Sequence, residues 1–276
     1  MDVVTKNEFE YDWCTCACDE AKAAARKLAN SRWLICAQQE DNFLGLLVRF
    51  LHFTDQRFNL GMSITLLTAQ EKMRETAERF PYAQVKQLTE TAEPIEAEYC
   101  VFCGYTGDRM TIADDGEYKR ALNRVDIFWK GIARATRRSI CISNAQIYDP
   151  YPSPLVAAEG EFQSESTDLT CRFYREAEQT VRQTQHEYVI LRPSAILAAG
   201  ETFKSRISAF LDELIFHSGK QHITGNARYS VLYITDFLTV FLLAANELRP
   251  QEVYNVSSDD TTVSMLELCD LSNSMI

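Results

Sequence analysis

Short apolar runs alternate with amphipathic helical segments through most of this chain, and that alternation limits its fold more than any other feature. Strands that alternate with helices build βαβ units, in which a parallel sheet is covered on both faces. The sequence therefore predicts an α/β fold, a doubly wound parallel sheet whose ligands lie at the carboxyl ends of the strands. The predicted strands are 33–37, 62–67, 84–88, 99–103, 139–143 and 188–191, and the predicted helices are 43–53, 70–80, 117–135 and 170–178.

The pattern changes after Pro193, where shorter elements predict a small mixed lid. Ser264 and Glu267 have the spacing of a capping box, which predicts a last helix there. We expect three units: a polar N-terminal extension (1–30), a Rossmann-like domain (31–193) and a C-terminal lid interleaved with it (194–276). The predicted lid elements are helices at 203–217 and 237–248 and strands at 221–223 and 253–256, and the extension has one helix at 19–28, capped by Asp19.

Composition and charge narrow the class of partner. Of 276 residues, 46% are hydrophobic and 24% are charged, which is typical of a globular protein. The net charge of −11 argues against nucleic acid or an anionic membrane surface as a partner. The sequence has no run of 18 apolar residues, and its acidic N-terminus lacks the basic and apolar parts of a secretory signal. We therefore expect a cytoplasmic protein.

The nine cysteines predict neither disulfides nor a metal site. Most lie in strand-like runs, where a thiol acts as a small buried apolar group. Cys100 and Cys103 have an odd separation in a strand, so their side chains should point to opposite faces. Cys14, Cys16 and Cys18 could gather three thiolates, but no fourth ligand is near, and their role stays open.

Four short segments carry a family resemblance: Phe43-Leu44-Gly45, Leu191-Arg192-Pro193, Tyr233-Ile234-Thr235-Asp236 and the run 252–256. Between 34 and 268 the chain resembles the extended short-chain dehydrogenases, the nucleotide-sugar epimerases and dehydratases. In that family one expects Ser-Ser-x-x-x-Tyr-Gly, then Tyr-x-x-x-Lys, then Leu-Arg-Pro. The order of these segments is kept here, but the Tyr-x-x-x-Lys pair is absent.

The resemblance places the dinucleotide turn after the first strand. Gly45 takes the third glycine position of that turn and would serve helix–strand packing. Gln39 and Asn42 take the first two, where glycine lets the backbone approach a pyrophosphate. The acidic pair at 40–41 adds charge that repels phosphate. We therefore expect NAD or NADP to bind weakly or not at all.

Other cofactor positions are mixed. Glu90 falls where the family has an aspartate near the adenine. Cys103 and Gly104 stand where the family has two small residues that leave room for a flat ring. Arg192 and Pro193 match the family segment that ends the sixth strand.

The catalytic positions fit the family in two registers. In one, Thr170 stands for the catalytic tyrosine and Tyr174 for the lysine; in the other, Tyr174 is the tyrosine and Glu178 replaces the lysine. Both registers break the pair in which lysine lowers the tyrosine pKa. Asn144 takes the serine position. The substrate positions are Ser143, Ser194 and Arg228.

The resemblance implies a catalytically degenerate relative that serves as a binding or partner module for a nucleotide-sugar-like small molecule. Two alternatives remain: an active NAD(P)-dependent epimerase or dehydratase with a rearranged site, and a scaffold without a ligand. Active relatives usually dimerise through the helices that correspond to 117–135 and 170–184. We therefore expect a homodimer, or a heterodimer with an active paralogue.

Overall fold

The computed structural model describes residues 13, 17–38, 42–90, 93–104, 112–148, 168–184, 187–197, 228–258, 262–264 and 267. Several predictions from the sequence lie outside these residues. They are the helix at 203–217, the strand at 221–223, Cys14, Cys16, and the turn residues Gln39 and 40–41, together with the side chains of Asn42 and Arg228.

The strands of the described residues are β1 (Arg32–Ala37), β2 (Ser63–Thr68), β3 (Gln84–Gln87), β4 (Ala97–Cys103), β5 (Thr136–Ile142), β6 (Glu187–Pro193), β7 (Ala195–Leu197), β8 (Arg228–Tyr233), β9 (Glu252–Val256) and β10 (Thr262–Ser264). The core of the molecule is a sheet of seven parallel strands in the order β3-β2-β1-β4-β5-β6-β9. The strand order reverses between β1 and β4, which is the topological switch point of a doubly wound fold. The predicted α/β, Rossmann-like architecture is confirmed.

Helices cover both faces of this sheet, because alternate strand residues point to opposite sides. Trp33 and Ile35 pack with α1, α2 and α6, whereas Leu34 and Cys36 pack with α4 and α5. The helices are α1 (Asp19–Arg26), α2 (Asn42–Phe58), α3 (Met73–Arg79), α4 (Asp115–Asp126), α5 (Leu169–Arg182) and α6 (Ile234–Asn246). Among the residues described, no helix is both long and apolar enough to cross a bilayer.

Helix α4 ends earlier than its sequence predicts. The regular helix stops at Asp126, and a π turn (Ile127–Gly131) and a 3-10 turn (Ile132–Ala135) complete the predicted segment. Phe128, Trp129 and Ile132 in these turns are all buried against the sheet. The apolar pattern therefore predicted burial correctly, but the change of helical pitch was not visible in it.

The N-terminal segment packs onto the main core. Helix α1 lies against α6, where Trp13 is fully buried and donates to Thr239 Oγ1 over 3.2 Å. Cys18, rather than Asp19, is the N-cap of α1, and its side chain makes no capping hydrogen bond. Asp19 lies in the first turn, where its charge favours the helix dipole. The predicted cap was wrong because propensity does not fix which residue leaves helical geometry.

The C-terminal part contributes to both sheets. Strand β9 pairs with β6 in the main sheet, while β10, β8 and β7 form a second sheet. The Ser264–Glu267 capping box is confirmed, since Glu267 N donates to Ser264 Oγ and Ser264 N to Glu267 Oε2. Cys100 and Cys103 lie on opposite faces of the main sheet, as predicted.

Candidate functional site

Helix α5 presents one buried face to the carboxyl end of the sheet. Asp168 begins the helix by accepting a hydrogen bond from Cys171 N over 2.7 Å. Thr170, Tyr174 and Glu178 follow at a spacing of four residues, so they share one side of the helix. All three are buried. These are the positions that both sequence registers assign to the catalytic pair or its neighbour.

Thr170 is closed to solvent at this end of the helix. Its side chain is fully buried, and its Oγ1 accepts a hydrogen bond from Ile112 N over 2.7 Å. The hydroxyl therefore satisfies a backbone amide that would otherwise be buried without a partner. In the first register Thr170 stands at the catalytic-tyrosine position, and here its hydroxyl joins α5 to the segment before α4 by a hydrogen bond.

Tyr174 lies one turn further along and packs against Gly104 at the end of β4. A Cβ on Gly104 would be 3.0 Å from Cε1 of the Tyr174 ring and 3.0 Å from the carbonyl oxygen of Ile142. Only a glycine leaves room for this ring. The small pair at 103–104 was predicted to make space for a flat ligand ring, and the ring found against it belongs to Tyr174.

Glu178 and Arg192 form a buried ion pair. Arg192 Nε and Nη2 donate to the two Glu178 oxygens over 2.8 and 2.7 Å, and both residues are almost completely buried. Arg192 Nη1 donates to the Tyr148 hydroxyl over 2.5 Å, and that hydroxyl donates to Asn255 Oδ1 over 2.7 Å. Arg192 therefore ties α5 to β9 through the interior, which is a structural use of the Arg-Pro segment.

The polar residues that follow β5 and β6 lie at the same edge of the sheet. Ser143 and Asn144 follow β5, and Ser194 follows β6. The hydroxyl oxygens of Ser143 and Ser194 are buried and have no hydrogen-bond partner among the described residues. With respect to the described residues, this edge therefore has hydrogen-bonding capacity that is not used, next to the buried face of α5.

Gly45 lies beside two arginine side chains. A Cβ at Gly45 would run into the Arg79 guanidinium, with Cζ at 3.0 Å, and would lie 3.4 Å from Arg49 Nη1. Gly45 thus makes room for Arg79, the last residue of α3. Gln39 and its acidic neighbours at 40–41 lie outside the described residues, so their effect on a pyrophosphate stays a prediction.

A cavity of about 510 Å³ opens at the carboxyl ends of β1, β2 and β3, beside α4. Its walls include Gln38, Ala69, Leu88, Arg120, Arg124 and Ile127. Gln38 N donates to Cys103 O over 2.8 Å, which holds this residue against the end of β4. Gln38 Oε1 and Arg124 Nε are buried and have no hydrogen-bond partner among the described residues. The cavity thus combines apolar walls with unpartnered polar atoms, as ligand pockets do.

Sequence reasoning missed both arginines of this cavity. The signal was their spacing of four residues on the helix that follows the fourth strand, which places them on one side of that helix. Glu90, predicted near an adenine, is exposed and accepts a hydrogen bond from Asn123 Nδ2 over 3.4 Å. Since Asn123 lines the cavity, Glu90 stands close to its rim.

Two side-chain contacts join helices α4 and α5 beside the cavity. The Tyr118 hydroxyl donates to Glu176, and the Arg172 guanidinium lies 5.0 Å from the centroid of the Tyr118 ring. Burial, and then the hydrogen bond to the Glu176 carboxylate, raise the pKa of Tyr118 to about 12. The hydroxyl therefore stays protonated at neutral pH. Within the described part of the chain, no group of three or more His, Cys, Asp or Glu side chains could hold a metal ion.

No family model matches the sequence, and no curated protein matches it. Solved structures resemble it in fold. WbmF of Bordetella bronchiseptica, solved with NAD+ and UDP, is 13% identical with a TM-score of 0.65, over 91% of this chain and 78% of that one. WbmG of the same organism, solved with NAD and UDP, is 19% identical with a TM-score of 0.66, over 90% and 78%.

The epimerase Mth375 of Methanothermobacter thermautotrophicus is 12% identical with a TM-score of 0.68, over 93% of this chain and 80% of that one. At such identities the likeness is one of fold. The chain therefore shares the α/β fold of these structures, which is the fold that its resemblance to the extended short-chain dehydrogenases predicted.

Proposed function

We propose that this chain is a catalytically degenerate relative of the nucleotide-sugar epimerases and dehydratases, which binds a small molecule or a partner without turnover. The proposal rests on one observation, which is that the side chains at the catalytic positions of α5 are buried against other parts of the chain. Thr170 is buried and accepts a hydrogen bond from Ile112 N, and Tyr174 is buried against Gly104. Because both side chains are buried, we propose that neither gives a proton to a ligand at the edge of the sheet.

The second register leads to the same conclusion. If Tyr174 stands for the catalytic tyrosine, Glu178 takes the place of the lysine. Both oxygens of Glu178 already bind Arg192, and one also accepts a hydrogen bond from Arg182 over 3.2 Å. A carboxylate cannot supply the positive charge that lowers a phenol pKa. Loss of the general acid/base alone removes roughly 10²–10⁴-fold of rate.

The two halves of a dinucleotide would meet different surroundings in this chain. WbmF and WbmG were solved with NAD, so dinucleotide binding is compatible with this fold. The cavity beside α4 has room for a nucleoside, and Gln38 and Arg124 would hold polar groups there. The ring of Tyr174 lies against Gly104, where the family resemblance expects room for a flat ring, and we propose that it takes the place of the nicotinamide. We therefore propose weak or absent binding of NAD and NADP.

Association stays part of the proposal. A homodimer, or a heterodimer with an active paralogue, would use α4 and α5. Leu122 and Ile127 are half-buried against the core of their own chain. The outward residues of the two helices are polar, and include Lys119, Asn123, Glu176 and Gln179. An interface here would therefore be held by polar contacts. We also propose that the protein works in the cytoplasm.

One observation favours the alternative, an active enzyme with a rearranged site. Ser143 and Ser194 have buried hydroxyls without a described partner at the edge where a substrate would lie. Neither hydroxyl has a described base beside it to accept its proton, so we prefer the degenerate reading.

The experiment is a turnover assay with a panel of UDP-, GDP- and ADP-sugars, each with added NAD+ or NADP+. The proposal predicts no product above background for the unaltered protein. The Tyr174→Phe and Ser143→Ala variants serve as controls, since background activity from a contaminant should not respond to either. Turnover that either substitution abolishes would overturn the proposal and identify the rearranged site.

A further inference from the structure

Two arginine side chains meet at Gly45, where the first turns of α2 lie beside the end of α3. A Cβ at Gly45 would lie 3.0 Å from Arg79 Cζ and 3.4 Å from Arg49 Nη1, so both guanidinium groups surround one point on α2. Like charges that are held so close repel each other. Neither arginine is among the residues that line the cavity beside α4, so this cluster is separate from that cavity.

Tyr82 brings a neutral hydrogen-bond donor to the same cluster. Its ring stacks on His52, with ring centroids 3.8 Å apart and an interplanar angle of 5°, which fixes the ring in place. The hydroxyl oxygen is buried and has no hydrogen-bond partner among the described residues. Burial raises the pKa of Tyr82 to about 12, while the charges of Arg49 and then Arg79 act in the opposite direction. The hydroxyl is therefore protonated at neutral pH and close enough to both arginines to be affected by their charge.

The carboxylates of α2 and α3 take part in other contacts. Asp55 Oδ1, on α2, accepts a hydrogen bond from Met62 N over 2.8 Å. The two glutamates of α3 form ion pairs with Lys72 and Arg74, over 3.0 and 2.9 Å. The negative charges of these two helices are thus used in these contacts, and the cluster at Gly45 brings two positive charges together.

We infer that Arg49, Arg79 and Tyr82 form a binding site for a tetrahedral oxyanion, either free phosphate or the phosphate group of a small molecule. Arginine donates parallel N–H bonds to phosphate, and two arginines and a phenol can bind different oxygens of one such anion. The anion would replace the repulsion between the guanidinium groups by attraction to both, and it would satisfy the buried hydroxyl. Gly45 is part of the site because a Cβ there would take the place of the Arg79 guanidinium.

The test is thermal unfolding of the full chain at increasing concentrations of inorganic phosphate, with sodium chloride at the same ionic strength as the reference. An anion that binds only the folded state raises the midpoint by mass action. We expect phosphate to do so with a dissociation constant of about 1 mM or lower. Acetate carries one charge and two oxygens, so it should bind at least roughly 10-fold more weakly.

Three variants assign the effect to residues. Arg79→Gln should reduce phosphate affinity roughly 10- to 100-fold, and Tyr82→Phe, which removes one neutral donor, roughly 3- to 10-fold. Gly45→Ala should weaken binding about as much as Arg79→Gln does, although it removes no charge, because the new Cβ displaces the guanidinium. The matched control is Arg57→Gln, which removes the same charge from an exposed position of α2 and should change nothing. The midpoint of each variant in chloride is its own reference.

The source of the phosphate group follows from a titration with glycerol phosphate. Binding as tight as that of phosphate assigns the site to the phosphate group of an ester, and exclusion assigns it to the free anion; both results support the site.

Three results would overturn the inference. They are a midpoint that phosphate raises no more than chloride, equal effects of Arg79→Gln and Arg57→Gln, and an unchanged phosphate affinity in Gly45→Ala. The site needs neither the catalytic positions of α5 nor the space at Gly104. None of these results therefore bears on turnover, and the proposed function fails only in the nucleotide-sugar assay.

Discussion

The inward face of α5 and the cavity beside α4 lie at the same edge of the sheet, but they are built in opposite ways. On α5, Thr170 and Glu178 have their polar atoms satisfied by other parts of the same chain. Beside α4, Gln38 and Arg124 have buried polar atoms without a described partner. The difference supports the proposal that one half of the site is filled by the chain's own side chains while the other half keeps room for a ligand.

The largest effect on stability is expected at the buried ion pair between Glu178 and Arg192. Glu178→Gln leaves the charge of Arg192 buried without its counter-ion, and breaking such a pair typically costs about 3–5 kcal/mol. Urea unfolding should report this loss of stability. The control is Gln179→Ala at the exposed neighbour, which should change stability by less than about 0.5 kcal/mol. If Glu178→Gln reduces the free energy of unfolding no more than the control does, α5 is not held in place by its ion pair with Arg192.

Gly104→Ala probes how tightly the Tyr174 ring fills its space. The new Cβ would lie 3.0 Å from both the ring and the Ile142 carbonyl oxygen, so we expect overpacking to cost about 1–3 kcal/mol. In the Tyr174→Leu background the cost of Gly104→Ala should be smaller, because one of the two close contacts is gone. A double-mutant cycle from thermal unfolding measures this coupling. Strict additivity would mean that the ring does not occupy the space at Gly104.

Thr170→Val tests whether the hydroxyl at the catalytic-tyrosine position is structural. The buried amide of Ile112 would lose its acceptor, and we expect destabilisation of about 1–2 kcal/mol. Thr170→Ser keeps the hydroxyl, and its loss should be smaller than that of the valine variant. Denaturant midpoints of both variants provide the comparison. If the serine variant loses more stability than the valine variant, the methyl group matters more than the hydrogen bond.

The smallest effect is expected at Ser143, which is buried but has no described partner for its hydroxyl. Removal of an unsatisfied hydroxyl leaves no partner stranded, so Ser143→Ala should change the free energy of unfolding by no more than about 0.5 kcal/mol in either direction. Chemical denaturation measures it. A loss of more than about 1 kcal/mol would show that the hydroxyl is already used within the fold.

Most of the fold was predictable from the sequence, because the strand runs are apolar and are separated by helical patterns. For the strands of the main sheet, the largest difference from prediction is three residues, at β5, predicted as 139–143 and observed as Thr136–Ile142. The pitch change after Asp126 was not predictable, since π and α turns bury the same apolar residues. Strand β7 was missed because a three-residue strand has too little pattern to recognise.

The candidate site was predictable only in part. The sequence predicted that a ligand would lie at the carboxyl ends of the strands, and Ser143, Asn144 and Ser194 lie at that edge, after β5 and β6. The sequence did not predict the hydrogen bond that Thr170 accepts, because the donor, Ile112, is distant in sequence and contributes a backbone amide. Arg124 was missed because an arginine on a helix usually faces solvent, and only the packed structure shows its Nε buried.

The central claim is that one half of the former site is filled while the other remains open, and a comparison of NAD+ with AMP tests it most directly. Both ligands carry an adenosine phosphate, and they differ in the nicotinamide half. Calorimetry under identical conditions should show that NAD+ binds no more tightly than AMP, because the space at Gly104 already holds the ring of Tyr174. An NAD+ affinity at least about 10-fold above that of AMP would show that the nicotinamide half still has a place and would contradict the account.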